Sequence, residues 1–384
     1  MNNFSFYNPT RIIFGKGEIA KLDALIPKTA KVLLIYGGGS IKKNGVYQQV
    51  VDALGKRKIT EFAGVEPNPF YETCLDAVKI IKQKKIDFLL PVGGGSVIDA
   101  TKFIAAAAFY EGKDCWDMMS DKTALKQAIP FGSVLTLPAT GSEMNRGAVI
   151  TKSDTKEKLA FHSDVVFPQF SILDPETTYS LPKRQITNGL VDTFVHVTEQ
   201  YCTYSVRNQI SDRFAESILQ TIVEEGSKAI KNPTDYDIKA NLMWAATMAL
   251  NGLIACGQPQ DWATHMIGHE LTAFYELDHG VTLSIVLPGI LRIMKKDKLD
   301  KLAQMATRVF GINEGSRGER ADKAILAIER FFRTVGAPTH LSDVNLDASC
   351  IDPIVERMEK RGWVLGEKGN ITPAKIREIL LNRL

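Results

Sequence analysis

Of the six histidines in this chain, three fall with one aspartate into two pairs of helical spacing, and a fourth follows close behind. Asp192 and His196 are four apart in a stretch of helical periodicity, so both side chains leave the same face. His265 and His269 repeat that spacing, and His279 comes ten residues later, just before the apolar run 281–288. Carboxylate oxygen with imidazole nitrogen suits Zn2+ or Fe2+. Spacing alone does not say which four of the five groups would ligate. The HxxxH pair has metalloprotease spacing, but His265 is followed by Met266 where the general-base Glu belongs, which argues against a peptidase. His162 and His340 have no such company and read as surface or structural residues.

A second chemistry is written in glycine. Two GGGS clusters, Gly37, Gly38, Gly39 and Ser40, then Gly93, Gly94, Gly95 and Ser96, each follow a run with the character of a buried strand. At the second cluster the strand is expected to stop, the glycines to turn the chain, and Ser96 to cap an Ala-rich helix. Residues lacking Cβ let backbone N–H groups approach a ligand, and a helix N-terminus favours negative charge, so a pyrophosphate would suit this position. The alternative is a tight strand-to-helix turn with no ligand. The GxGxxG fingerprint is not met, because Lys42 and Ile98 occupy its third glycine position, and Glu61 lies inside its strand run instead of ending it. A third segment, TLPATGSE at 136–143, clusters small hydroxyls that could bond a phosphate or ribose, or only their own backbone.

The elements that must position these groups differ between the two halves. Predicted strands at 31–36, 59–64 and 86–92 alternate with predicted helices at 47–56 and 73–84, the pattern of βαβ units and a mostly parallel sheet. This region runs to about Leu173, where DPETTYSLP supplies turns. Beyond Leu181 apolar residues recur every three to four positions over 191–201, 214–230, 241–256, 262–275, 299–310 and 321–335, which predicts helices throughout. The 241–256 stretch is apolar nearly all round, as a central buried helix would be. Met243, Trp244, Met248, Cys202 and Cys256 fall at core spacing, and Thr372-Pro373 reads as a cap opening the last helix.

Composition narrows the class. At 384 residues the natural expectation is two domains, and 45% hydrophobic with 24% charged residues excludes a disordered chain, a collagenous repeat or a small disulfide scaffold. Lys plus Arg (47) against Asp plus Glu (44) is too balanced to imply a nucleic-acid partner. The five cysteines are odd in number, far apart and without a CxxC pair, which suits a reducing compartment. With no membrane-spanning apolar run and no signal-like start, a cytoplasmic protein with no membrane partner is expected.

The segments PTRIIFGKG, VGGGSVIDATKF, LTLPATGSEMN, LDPETTYSLP, NGLVDTFVHVTEQY, DWATHMIGHELTA and DHGVTLSIVLP are spread in order over both halves. Through them the chain resembles the iron-dependent (group III) alcohol dehydrogenases, most closely the branch of NADPH-dependent aldehyde reductases and butanol dehydrogenases. The resemblance implies a dehydroquinate synthase-like fold: an α/β N-terminal dinucleotide-binding domain over 1–178 plus an all-α C-terminal metal-binding domain over 179–384, with the metal in the cleft. It implies Asp192, His196, His265 and His279 as ligands of one divalent metal, Fe2+ or Zn2+, and His269 as a proton-relay candidate. Gly93, Gly94, Gly95 and Ser96 would bind the pyrophosphate, with Thr136, Thr140 and Ser142 along the nicotinamide half, Lys158 near its ribose, Leu181 packing on the cofactor and Asp99 touching it. Many NAD-preferring relatives carry an Asp in the first loop; here Gly37, Gly38, Gly39 and Ser40 precede Lys42 and Lys43, which favours NADP(H) over NAD(H). Glu270 follows His269 as in the aldehyde-reductase branch. The expected activity is hydride transfer between NADP(H) and short-chain aldehydes or primary alcohols, by a homodimer. The alternatives are a dehydroquinate synthase-like lyase using NAD and a metal, and a metal-binding protein that has lost catalysis. The latter would require a broken ligand or glycine position, and none is broken.

Overall fold

The computed structural model describes residues 1–119 and 125–384 and resolves into two compact units. One comprises Tyr7–Leu181 with Pro233–Thr247; the other comprises Met1–Phe6, Pro182–Asn232 and Met248–Leu384.

The first unit holds eight strands among the described residues: β1 (Arg11–Phe14), β2 (Lys31–Tyr36), β3 (Lys58–Ala63), β4 (Phe88–Gly94), β5 (Gly132–Leu137), β6 (Gly147–Lys152), β7 (Glu157–His162) and β8 (Phe170–Leu173). Six form a parallel sheet in the order β1-β8-β5-β4-β2-β3, and β6 pairs with β7 as an antiparallel hairpin. Helices α1 (Leu22–Leu25), α2 (Ser40–Lys43), α3 (Val46–Leu54), α4 (Tyr71–Lys84) and α5 (Gly95–Ala107) join the strands. The central strands are apolar at nearly every position because both faces of the sheet are covered. Alternate residues serve opposite faces: Leu33, Ile35 and Leu89 pack with Val78 and Ile81 of α4 and Phe103 of α5, while Val32, Leu34 and Leu90 pack with Val46, Val50 and Leu54 of α3.

Strand order sets where a ligand would sit. From β2 the chain steps outward to β3, then returns to the other side of β2 for β4 and β5. The strand order therefore reverses between β2 and β4, and the two glycine clusters lie at the carboxyl ends of those two strands. Open parallel sheets bind ligands at such a switch point.

The second unit is helical, with α6 (Lys183–Tyr201), α7 (Gln209–Lys231), then, beyond α8 (Tyr236–Ala249), α9 (Ala263–Tyr275), α10 (His279–Ile293), α11 (Lys295–Arg308), α12 (Arg317–Val335), α13 (Ile351–Arg361) and α14 (Pro373–Leu381). Thr372 caps α14 by accepting from Lys375 N, with Pro373 first in the helix, as its sequence predicts.

Several expectations need correction. Gly93 and Gly94 do not turn the chain after a strand; they continue β4 and pair with Leu135 and Leu137 of β5 across a register shift. Ser96 does not cap α5: its hydroxyl donates to the Pro67 carbonyl, and the helix starts one residue earlier, at Gly95. The helix predicted over 241–256 ends at Ala249, because Asn251 Oδ1 accepts from Leu253 N at 3.0 Å and Gly252 adopts φ +92°. Trp244, expected in the core, is 42% exposed and lies edge-on to Phe14. The compact units also depart from simple blocks at 1–178 and 179–384. Asn2 N donates to Gly257 O, which ties residues 1–6 to the helical unit. Met243 joins the core beneath the sheet and Thr247 Oγ1 donates to Glu143 Oε1 at 2.6 Å, which ties most of α8 to the α/β unit.

Candidate active site

In the helical unit, Asp192, His196 and Glu199 lie at i, i+4 and i+7 on α6 and are all buried. α9 brings His265, and His279 opens α10. Close helix approach is secured by two glycines: a Cβ at Gly280 would stand 2.7 Å from the Asn188 Cα of α6, and one at Gly268 would stand 2.8 Å from Thr282 Oγ1 of α10. The result is convergence on one oxygen. Asp192 Oδ1 lies 3.4 Å from His196 Nδ1, 3.5 Å from His265 Nε2 and 3.6 Å from His279 Nε2. Donor atoms of Asp192, His265 and His279 all fall within 4.8 Å of one another; the fourth predicted ligand, His196, lies outside that mutual group and is tied to it through Asp192 Oδ1 and by its ring, which stacks on His265 at 4.5 Å.

This arrangement fits a metal ion. His196 Nδ1 and His265 Nε2 are buried and make no hydrogen bond among the described residues. Ligands about 2.1 Å from a tetrahedral ion stand about 3.4 Å apart, which matches the distances from Asp192 Oδ1 to the three imidazoles, and these are too long for ordinary hydrogen bonds. One carboxylate and three imidazoles form the donor set expected for Fe2+ or Zn2+. Without a metal, burial and the neighbouring His265 push the His196 pKa down to about 4. Burial opposes the His265 imidazolium too, but Glu199 and Asp192 outweigh it and raise that pKa to about 9.

Glu199 is the residue that sequence reasoning missed. Its Oε1 accepts from Thr264 N at 2.6 Å and His265 N at 3.2 Å, and its Oε2 meets His265 Nδ1. α9 begins at Ala263, after Trp262, which is held at φ +62° and gives no side-chain cap; Asp261 Oδ1 takes the Ala263 N–H, and Glu199 takes the next two from another helix. The only sequence signal is the DxxxHxxE spacing.

His269, one turn beyond His265, is buried outside the mutual donor group, its ring 5.4 Å from that of His279 and 6.3 Å from that of His265. Glu270 is buried elsewhere, bonded to Arg357 at 3.0 Å and Arg361 at 2.7 Å on α13. It is part of helix packing.

In the α/β unit, Gly93, Gly94, Gly95, Thr136 and Thr140 lie at or just beyond the carboxyl ends of β4 and β5, whereas Lys158 is on β7 and Leu181 follows β8. A Cβ at Gly94 would stand 2.9 Å from Leu137 Cβ, and Gly93 and Gly95 are similarly closed in by Val97 and Thr140. These three glycines are thus required by packing. The first turn of α5 has no side-chain cap, which leaves its amides available to an anion. Ser142 Oγ donates to Asp99 Oδ1 at 2.5 Å, and Val149 N donates to Asp99 Oδ2. Thr136 is buried at the end of β5, and Ser142 N donates to Thr140 Oγ1. Lys158, on β7, donates to Asn68 Oδ1 at 2.9 Å, beside the Pro67 that holds Ser96. Leu181 closes the turn after β8, where neighbouring Ser180 accepts from Asn44.

At the first cluster Gly39 adopts φ +87° to open α2, Gly37 and Gly38 complete the turn, and Ser40 is exposed. The loop carries no acid, yet β3 brings one beside it. Glu61 accepts from Tyr36 OH at 2.5 Å, Tyr47 OH at 2.6 Å and Lys42 Nζ at 3.0 Å. Those hydrogen bonds hold its pKa at about 2. Lys42 is therefore engaged, while Ser40 and Lys43 face solvent.

The chain is 56% identical to the NADPH-dependent aldehyde reductase YqhD of Escherichia coli, over 97% of each chain. It is 44% identical to the probable NADH-dependent butanol dehydrogenase 1 of Bacillus subtilis, over 94% of this chain and 95% of that one. The crystal structure of E. coli YqhD superposes with a TM-score of 0.98 at 55% identity, covering 100% of this chain and 99% of that one. Residues 9–175 match the family described as iron-containing alcohol dehydrogenase, and residues 186–383 match its C-terminal family. This chain belongs to the iron-containing alcohol dehydrogenase family of oxidoreductases.

Proposed function

We propose that the protein is a metal-dependent alcohol dehydrogenase acting chiefly as an aldehyde reductase on short-chain aldehydes, with NADP(H) preferred over NAD(H). The observation that carries this reading is the convergence of three imidazoles on Asp192 Oδ1 in a chain whose relatives are named aldehyde reductase and butanol dehydrogenase. When bound, a divalent ion supplies Lewis acidity at a carbonyl oxygen, and a reduced nicotinamide supplies the hydride. Asp192, His196 and His265, which are buried, and the half-buried His279 would hold the ion, Fe2+ or Zn2+. Gly93, Gly94, Gly95 and Ser96, with the open first turn of α5, would seat the pyrophosphate. Thr136, Thr140 and Ser142, with Asp99 behind Ser142, would orient the nicotinamide half, with Lys158 at the ribose and Leu181 against the ring system. Gly37, Gly38, Gly39 and Ser40 would receive the adenosine end, with Ser40 and Lys43 available to a 2′-phosphate. A His269 imidazole nitrogen would carry the proton that the reduced product needs.

Steady loss of NADPH absorbance with butyraldehyde, on protein loaded separately with Fe2+ and Zn2+, tests the reading. A dehydroquinate synthase-like lyase or an inactive relative would consume no cofactor. We also read the protein as cytoplasmic, which its five free cysteines support, and as a homodimer. The dimer is supported by β1, an outer strand of the sheet, beside exposed Phe14 and Trp244.

A further inference from the structure

The geometry points to Glu199 as a positioning residue that selects the metal-binding tautomer of His265; this rests on the metal-site reading above. The side chain is fixed before it reaches the imidazole. Two backbone amides at the start of α9, those of Thr264 and His265, both donate to its Oε1, so Oε2 has one orientation, toward His265 Nδ1. A carboxylate oxygen only accepts, so the neutral ring, the form that can bind a cation, keeps its proton on Nδ1 and its lone pair on Nε2. Nε2 is the atom that stands 3.5 Å from Asp192 Oδ1, buried and without a hydrogen bond among the described residues. The same carboxylate thus ties α6 to the N-terminus of α9 and decides which nitrogen of His265 is open to a cation. Because Asp192, His196 and Glu199 share α6, the helix that would supply two ligands also orients a third.

Glu199→Gln separates this role from simple packing. The amide oxygen retains the Thr264 and His265 N–H bonds, so the NH2 group must face Nδ1. As a donor it requires the lone pair there and drives the ring proton onto Nε2, where the ion would bind. Were Glu199 merely structural, this near-isosteric change would be mild. We expect the metal-free variant to melt close to the wild type, yet to bind Co2+ about 10–100-fold more weakly in competition with a chromogenic chelator. Its Co2+ visible bands should be altered in position and intensity. Should the variant not fold, nitrogen NMR of Zn2+-loaded wild-type protein with labelled histidine still decides: His265 must carry its proton on Nδ1. An unprotonated Nδ1, or Co2+ affinity of Glu199→Gln within about threefold of wild type, overturns the role given to Glu199. Failure of the wild-type protein to bind Co2+ overturns instead the metal site beneath it.

Discussion

Gly95 and Thr140 touch across the ends of β4 and β5: a Cβ on Gly95 would stand 2.6 Å from Thr140 Cγ2 and closer still to its Oγ1. The loop offered to the pyrophosphate and the loop offered to the nicotinamide half therefore hold each other in place. Gly95→Ala should push Thr140 and the Ser142 turn aside and weaken NADPH binding about tenfold or more, the scale of an overpacked contact. Adding Thr140→Ala should recover part of the loss by removing the atoms in the way. Fluorescence titration of the two single variants and the double variant reads this directly, and strictly additive losses would contradict the contact as cause.

Metal retention should divide the histidines. His265→Ala or Asp192→Asn should purify without metal and without turnover, since each removes a donor from the cluster at 3.4–3.6 Å. His269→Ala should keep its metal and turn over more slowly. Elemental analysis of the purified variants, set beside kcat, checks both halves; metal loss from His269→Ala would overturn the division of roles.

Cofactor choice should be read at Ser40, which is exposed at the start of α2. Wild-type protein should show the higher kcat/KM with NADPH. Ser40→Asp should lower that value about tenfold while sparing NADH, because a carboxylate there would repel a 2′-phosphate by at least about 1 kcal/mol even in water. An equal loss with both cofactors would show that Ser40 does not meet the phosphate.

Lys102 predicts a dependence of stability on alkaline pH. Its ammonium is fully buried, donating to Asn145 Oδ1 at 2.8 Å and Gly147 O at 2.7 Å, and burial pulls its pKa from 10.5 down to about 8 despite Asp99 and Glu143 nearby. Between those values the unfolded chain holds a proton that the folded chain has released, so stability rises as pH climbs from about 8 to 10.5. The gain is about 3 kcal/mol over the window. Denaturant unfolding at several pH values should show a smaller rise in Lys102→Met than in wild type, because burial also pulls Lys239 down to about 8.

The Asp192/His196 and His265/His269 pairs were legible because i, i+4 spacing is a local property of one helix, and both pairs survive folding unchanged. Glu199 was not, because its meaning depends on His265, 66 residues away on a different helix. Lys42 and Glu61 likewise meet only when β2 and β3 pair. The strand carrying KVLLIY was legible to the residue, since an apolar run between turns has few other homes. α10 was read only as an apolar run: it is buried on nearly all sides and contains Pro288, so periodicity gave no clear helical face. Gly93 and Gly94 read as a turn because glycine is the usual mark of one, whereas here they lie within β4 and its close contacts exclude any larger side chain.

Neither compact unit is a continuous stretch of chain. A ribosome would deliver the whole sheet well before residues 233–247, so Met243 reaches the core beneath it only after some fifty residues of the other unit have emerged. The first six residues wait longer still, until Gly257 has been made and can accept from Asn2. Each half thus carries a latch that is synthesised out of turn. Splitting the gene at 181/182 should yield two fragments that need each other to finish folding.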